Sequence, residues 1–141
     1  MESNLRLSVE DSPSQSDHDA FMHILRTFNR SKVDEPGYRK LCVLVRDADN
    51  RVVGGLNGET YLEWFYIENL AVDRHVRNEG VGTKLLELAE EEARKRRCHS
   101  AWVEAWSFQG LPFYQKNGYK IFGELKNFPQ GHSRFFLYKK L

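Results

Sequence analysis

The chain has 141 residues, a formal net charge of +1, and 40% hydrophobic and 13% aromatic residues. This length and composition predict one globular domain over residues 1–141 and argue against disorder. The near-neutral charge argues against a general nucleic-acid-binding surface. Because no apolar run is long enough to span a bilayer, no membrane partner is expected.

The cysteine and histidine positions indicate the cellular compartment and argue against a metal site. Cys42 and Cys98 lie far apart, without a wider cysteine framework. This usage is typical of a reduced intracellular protein, so we expect a cytoplasmic location and two buried thiols. His75 and His132 have no metal-ligand spacing, so no metal site is predicted.

The N-terminal region predicts a strand followed by an amphipathic helix. Residues 5–9 alternate between apolar and polar side chains, which predicts a first strand. Ser16 or Asp17 then offers a helix cap. The helix is indicated by an apolar stripe at helical spacing, made of Phe21, Ile24, Leu25 and Phe28.

A strand-rich region follows. Buried strands are expected over residues 41–46 and 51–56. The dipeptide Asn57-Gly58 is typical of a short hairpin turn. One long aromatic-rich strand is then expected from about residue 60 to residue 72.

Two glycines follow this strand, in the pattern Arg77-x-x-Gly80-x-Gly82 at the start of a predicted helix. Glycines have no Cβ, so a ligand can approach the backbone closely. The first helical turn offers unpaired N–H groups and the positive end of the helix dipole, and a guanidinium suits phosphate oxygens. The pattern predicts a pyrophosphate site, with a turn that needs small residues for packing as the alternative.

Two other glycine loops do not fit these letters. A dinucleotide fingerprint requires a third glycine where Leu85 stands. A Walker A loop requires Gly-Lys before Ser or Thr, whereas this chain has Gly82-Thr83-Lys84.

The second half continues the helix–strand alternation. Glutamates at 90–92 precede basic residues at 94–96 by one helical turn and support the exposed face of the helix. We expect a strand over 101–105, a short helix over 111–117 ended by Gly118, and final strands over 119–125 and 133–138. The predicted buried stripe of the long helix is Val81, Leu85, Leu88, Ala89 and Ala93.

The glycine turn and a later segment together resemble one family. The segment 69–73 followed by Arg77-x-x-Gly80-x-Gly82 resembles the acetyl-coenzyme A motif of the GCN5-related N-acetyltransferases (GNAT family). The segment from Ser107 to Tyr119 resembles that family's later motif. The likeness covers the chain from about residue 41 to its end and is similar to small, single-domain members.

The resemblance implies an α/β fold with a mixed, mostly antiparallel, twisted central sheet of about six to seven strands flanked by about three to four helices. The family's fourth strand, here roughly 62–73, and its fifth, here 101–105, splay apart in a V. The gap admits the pantetheine arm of acetyl-coenzyme A, the acetyl donor, which binds along the strand like an added strand.

The resemblance also assigns cofactor contacts. Ser107 stands where the family usually has Asn, and a hydroxyl makes fewer hydrogen bonds than an amide. The residues expected to bind acetyl-coenzyme A are Leu70, Ala71, Val72, Arg77, Asn78, Glu79, Gly80, Val81, Gly82, Thr83, Ser107, Phe113 and Tyr114.

Acetyl transfer to an amine needs a base and an acid. An alkyl amine with a pKa of about 10.4 is almost wholly protonated at neutral pH, so a base assists its attack. The resemblance implies Tyr114 as the acid that protonates the departing thiolate, with a packing role as the alternative. Glu68 and Glu104 are the candidate bases. Residues 66, 68 and 70 would share one strand face unless a bulge intervenes, and Glu68 is equally well an exposed or ion-paired carboxylate.

Three functions are therefore weighed. The first is an N-acetyltransferase that moves the acetyl group of acetyl-coenzyme A to a primary amine, in the first instance of a small molecule, by direct transfer in a ternary complex. A peptide or protein amine is the alternative acceptor. The second is a non-catalytic acyl-coenzyme A-binding or sensing module, and the third is a phosphate binder that shares only the glycine turn. A possible homodimer would form through the predicted edge strand at 133–138.

Overall fold

The computed structural model describes residues 4–77 and 79–141. The chain divides into two compact units, Met1–Pro36 and Gly37–Leu141. In the first unit, helix α1 spans Gln15–Arg30 and is capped by Ser14, whose Oγ accepts a hydrogen bond from the Asp17 N–H. The cap therefore lies before the predicted Ser16 or Asp17.

The expected first strand is wrong, because residues 5–9 form no strand. Alternation of apolar and polar side chains specifies the two faces of a strand. It does not supply the neighbouring backbone whose N–H and C=O groups a strand needs.

The second unit is built on one mixed sheet. Among the described residues, six strands lie in the order β1-β2-β3-β4-β6-β5, and only β3 and β4 pair in parallel. This sheet, with three α-helices in the described chain, confirms the predicted fold class. The elements are β1 Arg39–Arg46, β2 Val52–Tyr61, β3 Trp64–Val72, the 3-10 helix Arg74–Val76, α2 Val81–Lys95, β4 Ser100–Trp106, α3 Leu111–Lys116, β5 Lys120–Lys126 and β6 Ser133–Lys140.

The hairpin between β2 and β3 differs from the prediction. Asn57 and Gly58 lie inside β2, and the chain turns instead at Leu62 and Glu63, whose φ angles are 49° and 67°. Positive φ at both central residues matches the twist of the flanking strands. Leucine and glutamate give no turn signal, so the sequence did not predict a turn here. The single strand expected from residue 60 to 72 is instead the end of β2 followed by β3.

A β-bulge interrupts β3 at Glu68. Asn57 pairs with Asn69 and Gly58 with Ile67, so Glu68 is the extra residue. A Cβ on Gly58 would lie 2.0 Å from the carbonyl oxygen of Tyr66, so only glycine permits this approach of the two strands.

The bulge changes which side chains share a face. Leu56 and Gly58 lie on one face of β2, and their partners Leu70 and Ile67 therefore lie on the corresponding face of β3. Leu70 packs against the core that contains Ile67. Tyr66, adjacent to Ile67, points to the opposite face. The expectation that residues 66, 68 and 70 share one face is therefore wrong.

Helix α2 supplies one side of the core. The predicted stripe is confirmed at Leu85, Ala89 and Ala93, but Leu88 is 54% exposed. Glu90 is buried instead, and its carboxylate accepts hydrogen bonds from the Tyr119 hydroxyl at 2.7 Å and the Lys139 ammonium at 2.8 Å. A buried carboxylate is tolerated when it is paired in this way.

Two smaller expectations are corrected at the surface. Cys98 is buried as predicted, but Cys42 is exposed. Strand β6 lies between β4 and β5, so β5 and not residues 133–138 forms this edge of the sheet. A homodimer stays a prediction. No helix in the ranges 4–77 and 79–141 is long and apolar enough to cross a bilayer.

The sheet opens between β3 and β4. These strands pair only from Trp64–Ser100 to Ile67–Val103. Beyond Ile67, β3 continues to Val72 and β4 to Trp106 without pairing to each other. The predicted V-shaped splay is confirmed, and it creates the cleft described next.

Candidate active site

A cleft of about 1230 Å³ lies where β3 and β4 separate. It runs from the first turn of α2 to α3, so both sequence motifs contribute to it. Its lining includes Glu68 and Glu104. The predicted cofactor residues that line it are Leu70, Ala71, Val72, Arg77, Gly80, Val81, Gly82, Thr83, Phe113 and Tyr114.

The remaining predicted cofactor residues are placed differently. Glu79 and Ser107 are not among the residues that line the cleft, and Asn78 lies outside the described residues. The Ser107 hydroxyl accepts a hydrogen bond from the Ser133 N–H at 3.0 Å and so ties the end of β4 to β6. Gln109, two residues further along the chain, does line the cleft.

The two glycines of the turn serve different purposes. Gly80 caps α2 with φ 74°, a left-handed conformation, and makes no side-chain cap hydrogen bond. A Cβ there would meet nothing within 4 Å, so the approach to the helix N-terminus is open. On Gly82 a Cβ would lie 3.2 Å from the Phe113 ring, so this glycine gives α3 room to pack against α2.

Arg77 lies beside this helix terminus. Its Nε donates a hydrogen bond to the Val72 carbonyl at 3.0 Å, which fixes the guanidinium at the end of β3. A helix N-terminus with an adjacent guanidinium is an electrostatic environment that suits phosphate oxygens. The local chemistry therefore fits a diphosphate.

Tyr114 lies at the other end of the cleft, on α3. It is 7% exposed and packs edge-on against Phe113 and Tyr119, with ring centroids 5.3 and 5.7 Å away. Burial raises the pKa of its phenol to about 12. Tyr114 therefore keeps its proton throughout the physiological range.

The two candidate carboxylates differ in their surroundings. Glu68 is exposed at the bulge. Glu104 Oε2 accepts hydrogen bonds from Arg134 Nη2 at 2.7 Å and from the Tyr66 hydroxyl at 3.2 Å. Burial and the Glu104 and Glu68 carboxylates raise the pKa of Tyr66.

Arg134 is a residue of the cleft wall that sequence reasoning missed. Its guanidinium lies 4.4 Å from the Trp106 ring and 5.0 Å from the Phe128 ring. Its Nε is buried and has no hydrogen-bond partner within the described ranges. The only sequence signal is a cation within the aromatic strand β6, and nothing there indicates that it pairs with a carboxylate on β4.

The arrangement of the described residues does not indicate a metal site. The described residues contain no group of three or more His, Cys, Asp or Glu side chains that could hold an ion.

The sequence and the fold match known acetyltransferases. The family model for the acetyltransferase (GNAT) family matches residues 5–119. Acetyltransferase Atu2258 of Agrobacterium fabrum is 36% identical over 116 residues, which are 82% of this chain and 85% of that protein. The crystal structure of an acetyltransferase from Bacillus cereus has a TM-score of 0.86 at 26% identity and covers 95% of this chain and 98% of that chain.

A second relative is named for its substrate. Blasticidin-S acetyltransferase of Streptomyces morookaense is 35% identical over 91 residues, which are 64% of this chain and 67% of that protein. The chain belongs to the GNAT acetyltransferase family. It is an acetyl-coenzyme A-dependent N-acetyltransferase, the class that the glycine turn and the later motif indicated.

Proposed function

We propose that this chain transfers the acetyl group of acetyl-coenzyme A to a primary amine of a small molecule, by direct attack in a ternary complex, and that residues 1–141 act as one N-acetyltransferase domain. The observation that carries the proposal is the continuous cleft from the N-terminus of α2 to Tyr114, with Glu68 and Glu104 in its wall. A relative named for blasticidin S supports a small-molecule acceptor. The free cysteines Cys42 and Cys98 are consistent with the predicted cytoplasmic location.

The cofactor contacts follow from the shape of the cleft. The diphosphate binds at the first turn of α2, where Gly80 leaves the approach open and Arg77 supplies positive charge. The pantetheine arm lies in the gap between β3 and β4 and hydrogen-bonds to the backbone of residues 70–72, which has no β4 partner there. This places the thioester towards Tyr114.

The chemistry then needs three proton transfers. The acceptor ammonium gives a proton to a carboxylate, Glu68 or Glu104, and the freed amine attacks the thioester carbon. The carbon–sulfur bond breaks, the departing thiolate takes the phenol proton of Tyr114, and the extra proton on the new amide nitrogen returns to the Tyr114 phenolate. Both carboxylates line the cleft with Tyr114, so one acceptor can contact both reacting ends of the site.

The test is a binding and turnover experiment on the purified chain. Acetyl-coenzyme A is expected to raise Tm, and addition of blasticidin S or another primary amine from a panel is expected to release the coenzyme A thiol. Glu68→Gln and Glu104→Gln are compared, and the variant that loses about 10²- to 10⁴-fold in kcat identifies the base. Absence of any stabilisation by acetyl-coenzyme A would contradict the proposal. Stabilisation without transfer to any amine would favour a sensing module.

The pH dependence of kcat gives an independent prediction. An acid must be protonated to act, and the Tyr114 pKa is raised from 10.0 to about 12. The loss of rate from its ionisation therefore begins near the raised value and not near 10. Measured with chemistry rate-limiting, kcat should show no downward limb from Tyr114 up to about pH 10.5. A limb centred near pH 10 that disappears in Tyr114→Phe would contradict the raised pKa of Tyr114 while leaving its role as the acid in place.

A further inference from the structure

We infer that the Tyr66 hydroxyl relays the acceptor's proton to Glu104 and that Arg134 is a positioning residue for this pair. The inference rests on the proposed acetyl transfer, and it selects Glu104 and not Glu68 as the group that finally holds the proton. It is carried by the contacts that join Tyr66, Glu104 and Arg134 in the wall of the cleft.

The Tyr66 ring is held so that its hydroxyl meets Glu104. Tyr66 on β3 and Trp102 on β4 are register partners, and their rings stack with centroids 4.4 Å apart. The hydroxyl donates to Glu104 Oε2 at 3.2 Å. Because the phenol keeps its own lone pairs, it can accept a hydrogen bond from the acceptor ammonium at the same time.

Arg134 fixes the carboxylate from the other side. Its Nη2 donates to the same Oε2 at 2.7 Å, and the guanidinium also lies 4.4 Å from the Trp106 ring and 5.0 Å from the Phe128 ring. The Trp106 indole N–H in turn donates to the Phe128 carbonyl at 2.6 Å, which holds Trp106 to the segment that carries Phe128. Oε2 accepts from both Arg134 and Tyr66, so the Tyr66 hydroxyl offers a hydrogen-bonded route from the cleft to Glu104, whereas direct transfer to Oε1 would leave kcat unchanged in Tyr66→Phe.

The proton transfer balances. The ammonium N–H proton passes to the Tyr66 oxygen while the original phenol proton passes to Glu104. Tyr66 ends as a neutral phenol, Glu104 ends protonated, and the nitrogen lone pair is free to attack the thioester. A cation and a carboxylate have become a neutral amine and a neutral acid.

The charged groups around Tyr66 determine in which direction its pKa should change when one of them is removed. Glu59 is its register partner on β2, and Glu68, Glu104 and Arg134 lie on β3, β4 and β6. Burial, Glu104 and Glu68 raise its pKa, and Arg134 lowers it. Removing the Glu104 charge must therefore lower the Tyr66 pKa, and removing the Arg134 charge must raise it.

The kinetic test uses Tyr66→Phe, Glu104→Gln and the double variant, with blasticidin S or another accepted amine. Each single variant should lose about 100-fold in kcat with an unchanged thermal shift by acetyl-coenzyme A, and the double variant should be within about threefold of the worse single. Arg134→Gln should lower kcat, and Arg134→Lys should recover part of the loss. The matched control is Tyr138→Phe, whose ring is not part of the cleft lining and which should keep wild-type kcat.

Two results would overturn the relay. One is a Tyr66→Phe variant within about threefold of the wild type, and the other is single losses that multiply in the double variant. A test that needs no acceptor is NMR titration of ¹³C-labelled tyrosine, with the Tyr66 signal assigned by its absence in Tyr66→Phe. An unchanged Tyr66 pKa in Glu104→Gln also overturns the relay. A wild-type protein that acetylates no amine contradicts the proposed function instead, and the titration still decides whether the coupling exists.

Discussion

Replacing Tyr114 by phenylalanine is expected to lower kcat by about 10²- to 10⁴-fold, the usual contribution of a positioned general acid. Phenylalanine keeps the ring that packs against Phe113 and Tyr119, so the fold and the cleft should be retained. The variant lacks the phenol proton that the departing thiolate needs. Single-turnover measurement of thiol release, with acetyl-coenzyme A bound beforehand, isolates this step from product release.

The Tyr114→Phe result is interpretable only if binding is preserved. The thermal shift produced by acetyl-coenzyme A should match that of the wild type, and the Tyr138→Phe variant should show what loss of a hydroxyl outside the cleft does. Wild-type single-turnover rates in Tyr114→Phe would remove this residue from the mechanism. The raised pKa of Tyr114 would then reflect packing alone.

Replacing Gly58 by alanine is expected to lower the free energy of unfolding by about 3 kcal/mol or more. The added Cβ would lie 2.0 Å from the Tyr66 carbonyl oxygen and 3.0 Å from the Phe65 ring. The first neighbour is backbone of β3 and cannot rotate away, so the two strands must separate. The bulge at Glu68 depends on that approach, so the cleft wall is disturbed together with the stability.

The matched control for Gly58 is Gly123→Ala. Gly123 also lies in a strand at an irregular register, but a Cβ there would meet only the Phe136 side chain, at 3.7 and 3.8 Å. Urea unfolding of both variants should show a large loss for Gly58→Ala and a change within about 1 kcal/mol for Gly123→Ala. A Gly58→Ala protein with wild-type stability and turnover would show that the close strand approach at the bulge is not required.

Local sequence signals predicted the structural elements at the α2 end of the cleft well. Gly80 and Gly82 follow a strand and begin α2, as expected, and the buried stripe of that helix holds at Leu85, Ala89 and Ala93. These predictions depend on residues that are neighbours in the chain. The spacing of these residues in the sequence then predicts the local backbone geometry, because the helical period and the left-handed conformation of a glycine are local properties of the chain.

The strand region shows where such reasoning stops. Asn57-Gly58 carries a strong turn signal, yet pairing along β2 overrides it and the turn forms at Leu62 and Glu63. The bulge at Glu68 lies opposite Gly58, where β2 and β3 approach too closely for a Cβ. A one-residue bulge reverses the alternation of every later side chain, so the face of Leu70 could not be read from period two.

The contacts of Glu104 and Arg134 were the least predictable part of the cleft. Arg134 meets Glu104 because β4 and β6 are neighbours in the sheet, with Trp106 opposite Arg134 in register. That neighbour relation joins residues that are far apart in the sequence, and no local pattern encodes it. The ion pair between Glu104 and Arg134 could therefore be recognised only from the strand order of the sheet.

A crystal structure of the chain with acetyl-coenzyme A tests most directly whether the cleft between β3 and β4 binds this cofactor. We expect the diphosphate on the backbone amides at the start of α2 beside Arg77, the pantetheine arm between β3 and β4, and the thioester sulfur within hydrogen-bond reach of the Tyr114 hydroxyl. Cofactor bound elsewhere, or bound here with its sulfur remote from Tyr114, would contradict this expectation.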